Sequence, residues 1–533
     1  MPPRTTIKDL FENDKKRVDK MSKRIDVMDQ FLQFDYSKTH LDDAVIKKYY
    51  EKFQNINLKK SIEHMFTGEK INYTENREVL HVALRDKRVI SKFEGDKETV
   101  LNFEYAEIYN ELNKMADLSK LIEEEKLVGA SNKVIDTIVH IGIGGSDLGP
   151  RMVCEALHFY RIRRLNVHFI SNVDATEALQ VFDKINPEKT LFIVVSKSFT
   201  TPETLENARL VKQMFLKSVK LDEKLITQHH FIAVSSNKAE VEKFGIKTVF
   251  SMWDFVGGRY SIWSAAGLTI CLYIGFKNFL KFLKGASIMD EHFLNSGFEN
   301  NIPIFHAIIE LYYNNELGFN NKCVLAYDQY LSKLPSYLQQ AEMESNGKSA
   351  RRPEVYHETE NLKSQNDNTG MIIWGDVGTN CQHSFFQLIH QGTRDILCEF
   401  IVGLKALGVY CETKSKHHKI LFANCIAQTE ALMNGRKNDD KNRNFDGDKP
   451  SIIVAYSQLT PEVLGALIAL YEHKIFVQGL MWGINSFDQF GVELGKILAK
   501  EIFTELNGDK VSNRDDSTKR LIELRKKHEK TPR

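Results

Sequence analysis

Cysteine is scarce and unpatterned in this chain. Seven residues, Cys154, Cys271, Cys323, Cys381, Cys398, Cys411 and Cys425, are scattered over 533 positions with no CxxC pair and no histidine-linked zinc spacing. That excludes a disulfide framework and a patterned zinc site, and leaves reduced interior thiols as the simplest reading. A dominant charge is missing too. Lys plus Arg number 72 against 71 Asp plus Glu, a formal net charge of +1, which argues against a chain built to coat nucleic acid or an acidic membrane. The most apolar stretch, residues 263–276, is broken by Gly267 and Gly275, closed by Lys277, and shorter than the ~20 residues needed to cross a bilayer. The N-terminus leads into charged residues rather than an apolar run, and Thr531-Pro532-Arg533 is no peroxisomal signal, so a cytoplasmic location is expected. There is no proline-rich linker, low-complexity tract or short-period repeat.

What is there suits a large globular protein. Hydrophobic residues make up 42% and aromatics 10%, enough at this length to fill ordinary cores. At roughly 150 residues per domain the length suggests three to four domains, or two large ones. The first hundred residues are charged and carry helical spacing, for example at Ile25, Met28, Phe31 and Leu32, with little that resembles a strand. From about Val134 short runs rich in Val, Ile and Phe, at 134–143, 167–170, 191–195, 231–234 and 248–250, alternate with longer amphipathic segments. A helical stretch near 276–318 follows, then further runs at 323–327, 371–374, 396–403 and 452–456. This alternation predicts βαβ units and mainly parallel sheets in two α/β halves. Residues 434–449 read as a polar surface excursion.

Ligands of open parallel sheets bind beyond the carboxyl ends of the strands, so the loops there carry the chemistry. The first, Gly142-Ile143-Gly144-Gly145-Ser146-Asp147, is a glycine-rich turn into a helix where backbone N–H groups can approach a phosphate or sugar, with Ser146 as cap or ligand. Asp147 stands where the dinucleotide fingerprint needs its third glycine, which disfavours a nicotinamide enzyme; a tight turn without ligand is the alternative. The second, Ser196-Lys197-Ser198-Phe199-Thr200-Thr201-Pro202-Glu203-Thr204, starts a helix with more hydroxyls than capping requires. Its surplus, with Lys197, suits a phosphate dianion at a helix N-terminus. Gly347-Lys348-Ser349 lacks the first glycine of a nucleotide P-loop, because Glu342 occupies that position.

Three further segments complete the inventory. Gly257-Gly258-Arg259-Tyr260-Ser261 places a guanidinium after backbone that must come close to something, although an ion pair is the common reading of a lone arginine. In Gln339-Gln340-Ala341-Glu342-Met343-Glu344, helical residues two apart do not share a face, so at most one carboxylate serves a site. His383 opens a helix near 384–390 after a glycine-rich turn, and Gln489 and Lys496 lie in the segment 487–496.

Taken together, Gly68–Asn72, Gly142–Pro150, Ser196–Thr204, Asp254–Gly267, Gln339–Lys348, Gly378–Thr393 and Gly479–Lys496 resemble, in order and across most of the chain, the glucose-6-phosphate isomerase (phosphoglucose isomerase) family. The resemblance implies an α/β protein of two αβα sandwich domains of the sugar-isomerase (SIS) type with mainly parallel sheets. It implies a helical N-terminal segment (1–105), a small domain (106–275), a large domain (276–495) and a C-terminal arm (496–533). It also implies a homodimer with active sites shared between subunits, a phosphorylated hexose as substrate, no metal or redox cofactor, and no nucleic-acid or membrane partner. By matching position, Glu344 is implied to be the base that moves a proton between C1 and C2 through a cis-enediol. His383, lent by the partner subunit, and Lys496 are implied to assist ring opening, and Arg259 to stabilise the enediolate. Ser196, Lys197, Ser198, Thr201 and Thr204 are implied to surround the phosphate; Gly145, Ser146, Gly258, Gln340 and Gln489 line the sugar. Asp376-Val377, Cys381, Ser198 and Pro202 depart from residues common in the family, and the stretch between Glu344 and His383 is longer than usual, its surplus assigned to 350–368. A sugar-phosphate sensor without turnover is the competing reading; it needs the hydroxyl cradle but not the base.

Overall fold

The computed structural model of the chain describes residues 5–352, 368–408, 411–508 and 513–529. Two compact units emerge, Met1–Ser486 and Phe487–Arg533. In the first, the strands among the described residues are β1 (Ser22–Val27), β2 (Gln30–Asp35), β3 (Thr137–Ile141), β4 (Asn166–Ile170), β5 (Thr190–Val195), β6 (Phe231–Val234), β7 (Thr248–Phe250), β8 (Asn321–Tyr327), β9 (Ile372–Val377), β10 (Leu397–Gly403) and β11 (Ser451–Tyr456). One sheet has the order β4-β3-β5-β6-β7 and is wholly parallel. The other has the order β1-β2-β11-β10-β8-β9, parallel from β11 to β9. Strands β3, β5, β6 and β11 are buried along their whole length, as a parallel sheet covered on both faces requires. The α/β class and the nine runs expected from residue 134 onward are found.

The N-terminal reading differs. Residues 22–35 form a hairpin, not a helix, and β2 pairs antiparallel with β11 at the edge of the second sheet. Ile25 and Val27 are buried while Arg24 and Asp26 are exposed, a period of two that the helical spacing of Ile25, Met28, Phe31 and Leu32 had masked. In so short a segment both periods fit, and the open edge of β11 decides between them. Pro461–Met481, rather than residues 263–276, is long and apolar enough to cross a membrane, and nearly all of it is buried inside the first unit. It packs against the helix Phe276–Asn295, where Gly285 lets the two backbones approach: a Cβ there would stand 1.8 Å from the Glu462 carbonyl oxygen.

That buried helix carries Lys474 into a cluster of charges beneath the second sheet. Lys322 Nζ on β8 lies 2.7 Å from Glu310, 3.0 Å from Glu342 and 3.4 Å from Glu399. Lys474 Nζ lies 2.9 Å from Glu310 and 2.7 Å from Glu342. His306 Nε2 is 3.1 Å from Glu399, and the Tyr471 hydroxyl donates to the same carboxylate. Burial opposes the charged imidazole of His306, but Glu399 and Glu310 outweigh it and hold its pKa above the ordinary value. Burial likewise opposes the Glu399 carboxylate, yet Lys322 and His306 bring it down to about 2. With His306 protonated, three carboxylates face three cations. Removing one partner of such a set leaves buried charge uncompensated, at a typical cost of about 3–5 kcal/mol. Lys322→Met is therefore expected to lower stability by about that amount, read as a fall in the thermal or denaturant midpoint.

The second unit contains the helices Glu493–Leu506 and Asp516–Glu529, with Arg514 between them paired to Glu501 and Glu505.

Candidate active site

Strand β5 ends at Val195, and the helix Pro202–Ser218 begins with Pro202 in its first turn and Thr201 as N-cap. Thr201 makes no side-chain capping bond; its hydroxyl oxygen instead accepts from Ser196 Oγ at 3.2 Å. Thr204 Oγ1 is buried with no hydrogen-bond partner among the described residues. Surplus hydroxyls at a helix start with an orphan among them fit an oxyanion ligand better than a cap. Ser198 is exposed and accepts from Thr200 N and Oγ1 at 3.3 and 2.7 Å. Lys197 Nζ reaches across to the Asp254 and Val256 carbonyls and to the Asp254 carboxylate at 3.3 Å. Burial pushes the Lys197 pKa down, with Asp254 opposing. The same ammonium thus straps this loop to the segment leading into Gly258 and Arg259.

The glycine-rich turn after β3 meets that segment backbone to backbone. A Cβ on Gly145 would lie 2.3 Å from the Gly258 carbonyl carbon, so only glycine allows the approach. Gly144 has φ +58, and a Cβ there would meet Gln340 Nε2 at 3.3 Å. Behind the turn, His140 donates from Nε2 to the Ser146 carbonyl oxygen, which only accepts, while Nδ1 faces Thr269 Oγ1 at 2.8 Å. Burial lowers the His140 pKa to about 4, so the ring is neutral and holds this one tautomer.

Opposite these loops, the π-helical turn Gln339–Glu344 continues the helix Leu334–Leu338. Its two carboxylates separate as i, i+2 spacing requires. Glu342 points into the buried cluster, and Glu344 points the other way, about a fifth exposed. Glu344 Oε2 accepts from Gln340 Nε2 at 3.0 Å and stands 3.7 Å from Arg259 Nη1. Arg259 is buried; its Nε donates to Ser345 Oγ and its Nη2 to the Ser486 carbonyl oxygen, each at 2.6 Å. A carboxylate with partial solvent access, set against a rigidly held guanidinium, can take a proton from carbon while the arginine faces the charge that develops.

The first unit therefore brings together Gly145, Gly258, Arg259, Gln340 and Glu344, and strings Ser196, Lys197, Ser198, Thr201 and Thr204 along one loop beside them. Ser146 belongs to the Gly145 turn. His383 is not joined to this group: it ends the turn Asn380–His383 after β9, is exposed, and its ring makes no hydrogen bond among the described residues. Cys381, two positions earlier, is buried with Cys323, Phe386 and Phe400, so the unusual thiol faces the core. Gln489 and Lys496 belong to the second unit, Lys496 in the first turn of its helix. Most of the 350–368 surplus lies outside the described residues. Residues 434–449 are largely exposed and include a short turn at Lys441–Arg443.

Sequence reasoning passed over Ser345, Asn346 and Ser486. Asn346 Oδ1 accepts from Ser486 Oγ at 2.7 Å, and Asn346 Nδ2 donates to the Ile475 carbonyl oxygen at 3.0 Å. For Ser345 and Asn346 the only signal was adjacency to Glu344 in Glu344-Ser345-Asn346-Gly347-Lys348, and for Ser486 its place in the segment 479–496.

Comparison with known proteins identifies the family. The sequence model of a family described as Phosphoglucose isomerase matches residues 35–522. A glucose-6-phosphate isomerase of Helicobacter pylori (strain Shi470) is 45% identical, the alignment covering 98% of this chain and 96% of the relative. One from Wigglesworthia glossinidia brevipalpis is 44% identical over 98% and 95%. Among solved structures, the crystal structure of a glucose-6-phosphate isomerase from Chlamydia trachomatis superimposes with a TM-score of 0.83 at 32% identity, covering 98% of this chain and 96% of the other. A hypothetical protein from Thermus thermophilus shares the fold at 23% identity and a TM-score of 0.58, covering 80% of this chain and 94% of the other. With nearly every residue aligned and the glycine, hydroxyl, arginine and glutamate loops assembled in one unit, the chain belongs to the phosphoglucose isomerase family.

Proposed function

We infer that this chain interconverts D-glucose 6-phosphate and D-fructose 6-phosphate, an aldose-ketose isomerisation in glycolysis and gluconeogenesis. The single observation that carries the reading is the Glu344 carboxylate placed 3.7 Å from the buried Arg259 guanidinium, beside the close approach of Gly145 and Gly258. A sensor needs the hydroxyl loop but has no use for such a pair. The cytoplasm is the compartment we propose for the reaction.

The chemistry moves one hydrogen between adjacent carbons of an opened hexose. In our reading Glu344 takes the proton from one carbon and returns it to the other through a cis-enediol, worth about 10²–10⁴-fold as general-base catalysis. Arg259 faces the enediolate oxygen, and one such preorganised donor is worth about 2.7–4 kcal/mol. Neither supplies the whole acceleration. The rest comes from orientation: hydroxyls of Ser196, Ser198, Thr201 and Thr204, with Lys197, hold the phosphate so that its binding energy fixes the reacting carbons. Gly145, Ser146, Gly258 and Gln340 line the sugar in this reading, and for Gln489, Lys496 and His383 the sugar contact and the assistance to ring opening are roles that the family resemblance implies. We assign His383 to the site of a partner subunit in a homodimer, which accords with its exposure in the single chain.

Three outcomes test these roles. Glu344→Gln should abolish isomerisation in a coupled assay while sugar-phosphate binding by calorimetry is retained; near-normal turnover rejects the base. Thr204→Val removes a buried hydroxyl that has no partner among the described residues, so the Michaelis constant for fructose 6-phosphate should rise severalfold with the melting temperature unchanged or higher. Mixing inactive Glu344→Gln and inactive His383→Ala subunits should restore measurable activity after exchange. Absence of recovery despite demonstrated exchange removes His383 from a shared site.

A further inference from the structure

The turn that carries the base also grips the arginine. Glu344, Ser345 and Asn346 are consecutive, and their side chains go to three places. Glu344 faces Arg259 Nη1, Ser345 Oγ accepts from Arg259 Nε at 2.6 Å, and Asn346 fastens Ser486, whose carbonyl oxygen accepts from Arg259 Nη2 at 2.6 Å. Ser345 is fully buried, and its Oγ also lies 2.9 Å from the Tyr260 hydroxyl. A guanidinium has five N–H donors in a rigid plane, so fixing Nε and Nη2 leaves its remaining freedom small and sets the direction of Nη1.

We propose that Ser345 is a positioning residue for the isomerisation: by accepting from Arg259 Nε it sets the angle at which the guanidinium meets the enediolate and the distance between Arg259 and Glu344. The proposal rests on the reading of Arg259 as the group facing developing charge. Its physical content is that one backbone turn carries both the base and the anchor of its electrostatic partner, so the spacing between the two is set within a single turn. Preorganisation of this kind acts on the transition state more than on the bound substrate, because the arginine meets full negative charge only there.

Ser345→Ala should lower kcat about tenfold with KM changed less than about twofold, the pattern of an interaction made in the transition state. The loss should depend on the arginine. In an Arg259→Ala background, adding Ser345→Ala should change kcat by less than about twofold, whereas a merely structural serine would depress both backgrounds alike. Ser345→Cys keeps the volume with a poor acceptor and serves if the alanine variant misfolds; it too should lose kcat with its melting temperature near that of the parent. Full turnover in Ser345→Ala or Ser345→Cys overturns the proposal, as does an additive loss in the double variant. If Arg259→Ala itself retains full turnover, the fault lies with the reading of the site and not with Ser345 alone.

Discussion

The arrangement depends on a set of charges that never meets water. Lys322 and Lys474 are buried among Glu310, Glu342 and Glu399, joining a β8 lysine, the helix Ile302–Leu311, β10, the long buried helix and the turn before Glu344. Transfer of such ions from water is costly, and it is offset by setting three carboxylates against two ammoniums and His306, whose charged form Glu399 and Glu310 favour. Because Glu342 is held from two sides, the π-helical turn cannot rotate, and a residue two positions on is thrown to the opposite face. Glu344 is thereby turned toward Arg259 by a buried cluster on the other face of its own turn.

A second constraint is steric. The loops that follow β3 and β7 touch through Gly145 and Gly258, and Lys197 straps the loop after β5 to the same segment. The carboxyl ends of three parallel strands thus converge as the rule for open α/β sheets requires. The second sheet contributes Glu344 from across this junction. Glycine- and hydroxyl-rich loops from one sheet and a carboxylate that follows a strand of the other thus lie together, an arrangement that neither sheet holds alone.

The loops were legible in sequence because their chemistry leaves compositional marks: glycines where backbones touch, surplus hydroxyls at a helix start, and Pro202 at the first helical position. The strands from residue 134 onward were legible because burial on both faces demands unbroken runs of Val, Ile and Phe. The N-terminal hairpin was not. Ile25, Met28, Phe31 and Leu32 fit a helical spacing while Ile25, Val27, Leu32 and Phe34 fit a strand's alternation over the same few residues, and only the free edge of β11 selects the strand. Ser345 escaped notice because a buried serine has no signature apart from what it touches.

By itself the sequence determined the class of fold and the family, since these rest on local composition and on the order of motifs along the chain. Only tertiary structure decided which of Glu342 and Glu344 faces the site, where Arg259 points, and that Thr204 keeps an unpartnered hydroxyl. Those outcomes depend on contacts between residues far apart in sequence, such as Lys474 with Glu342 and Ser486 with Arg259, where desolvation and hydrogen-bond geometry select one arrangement.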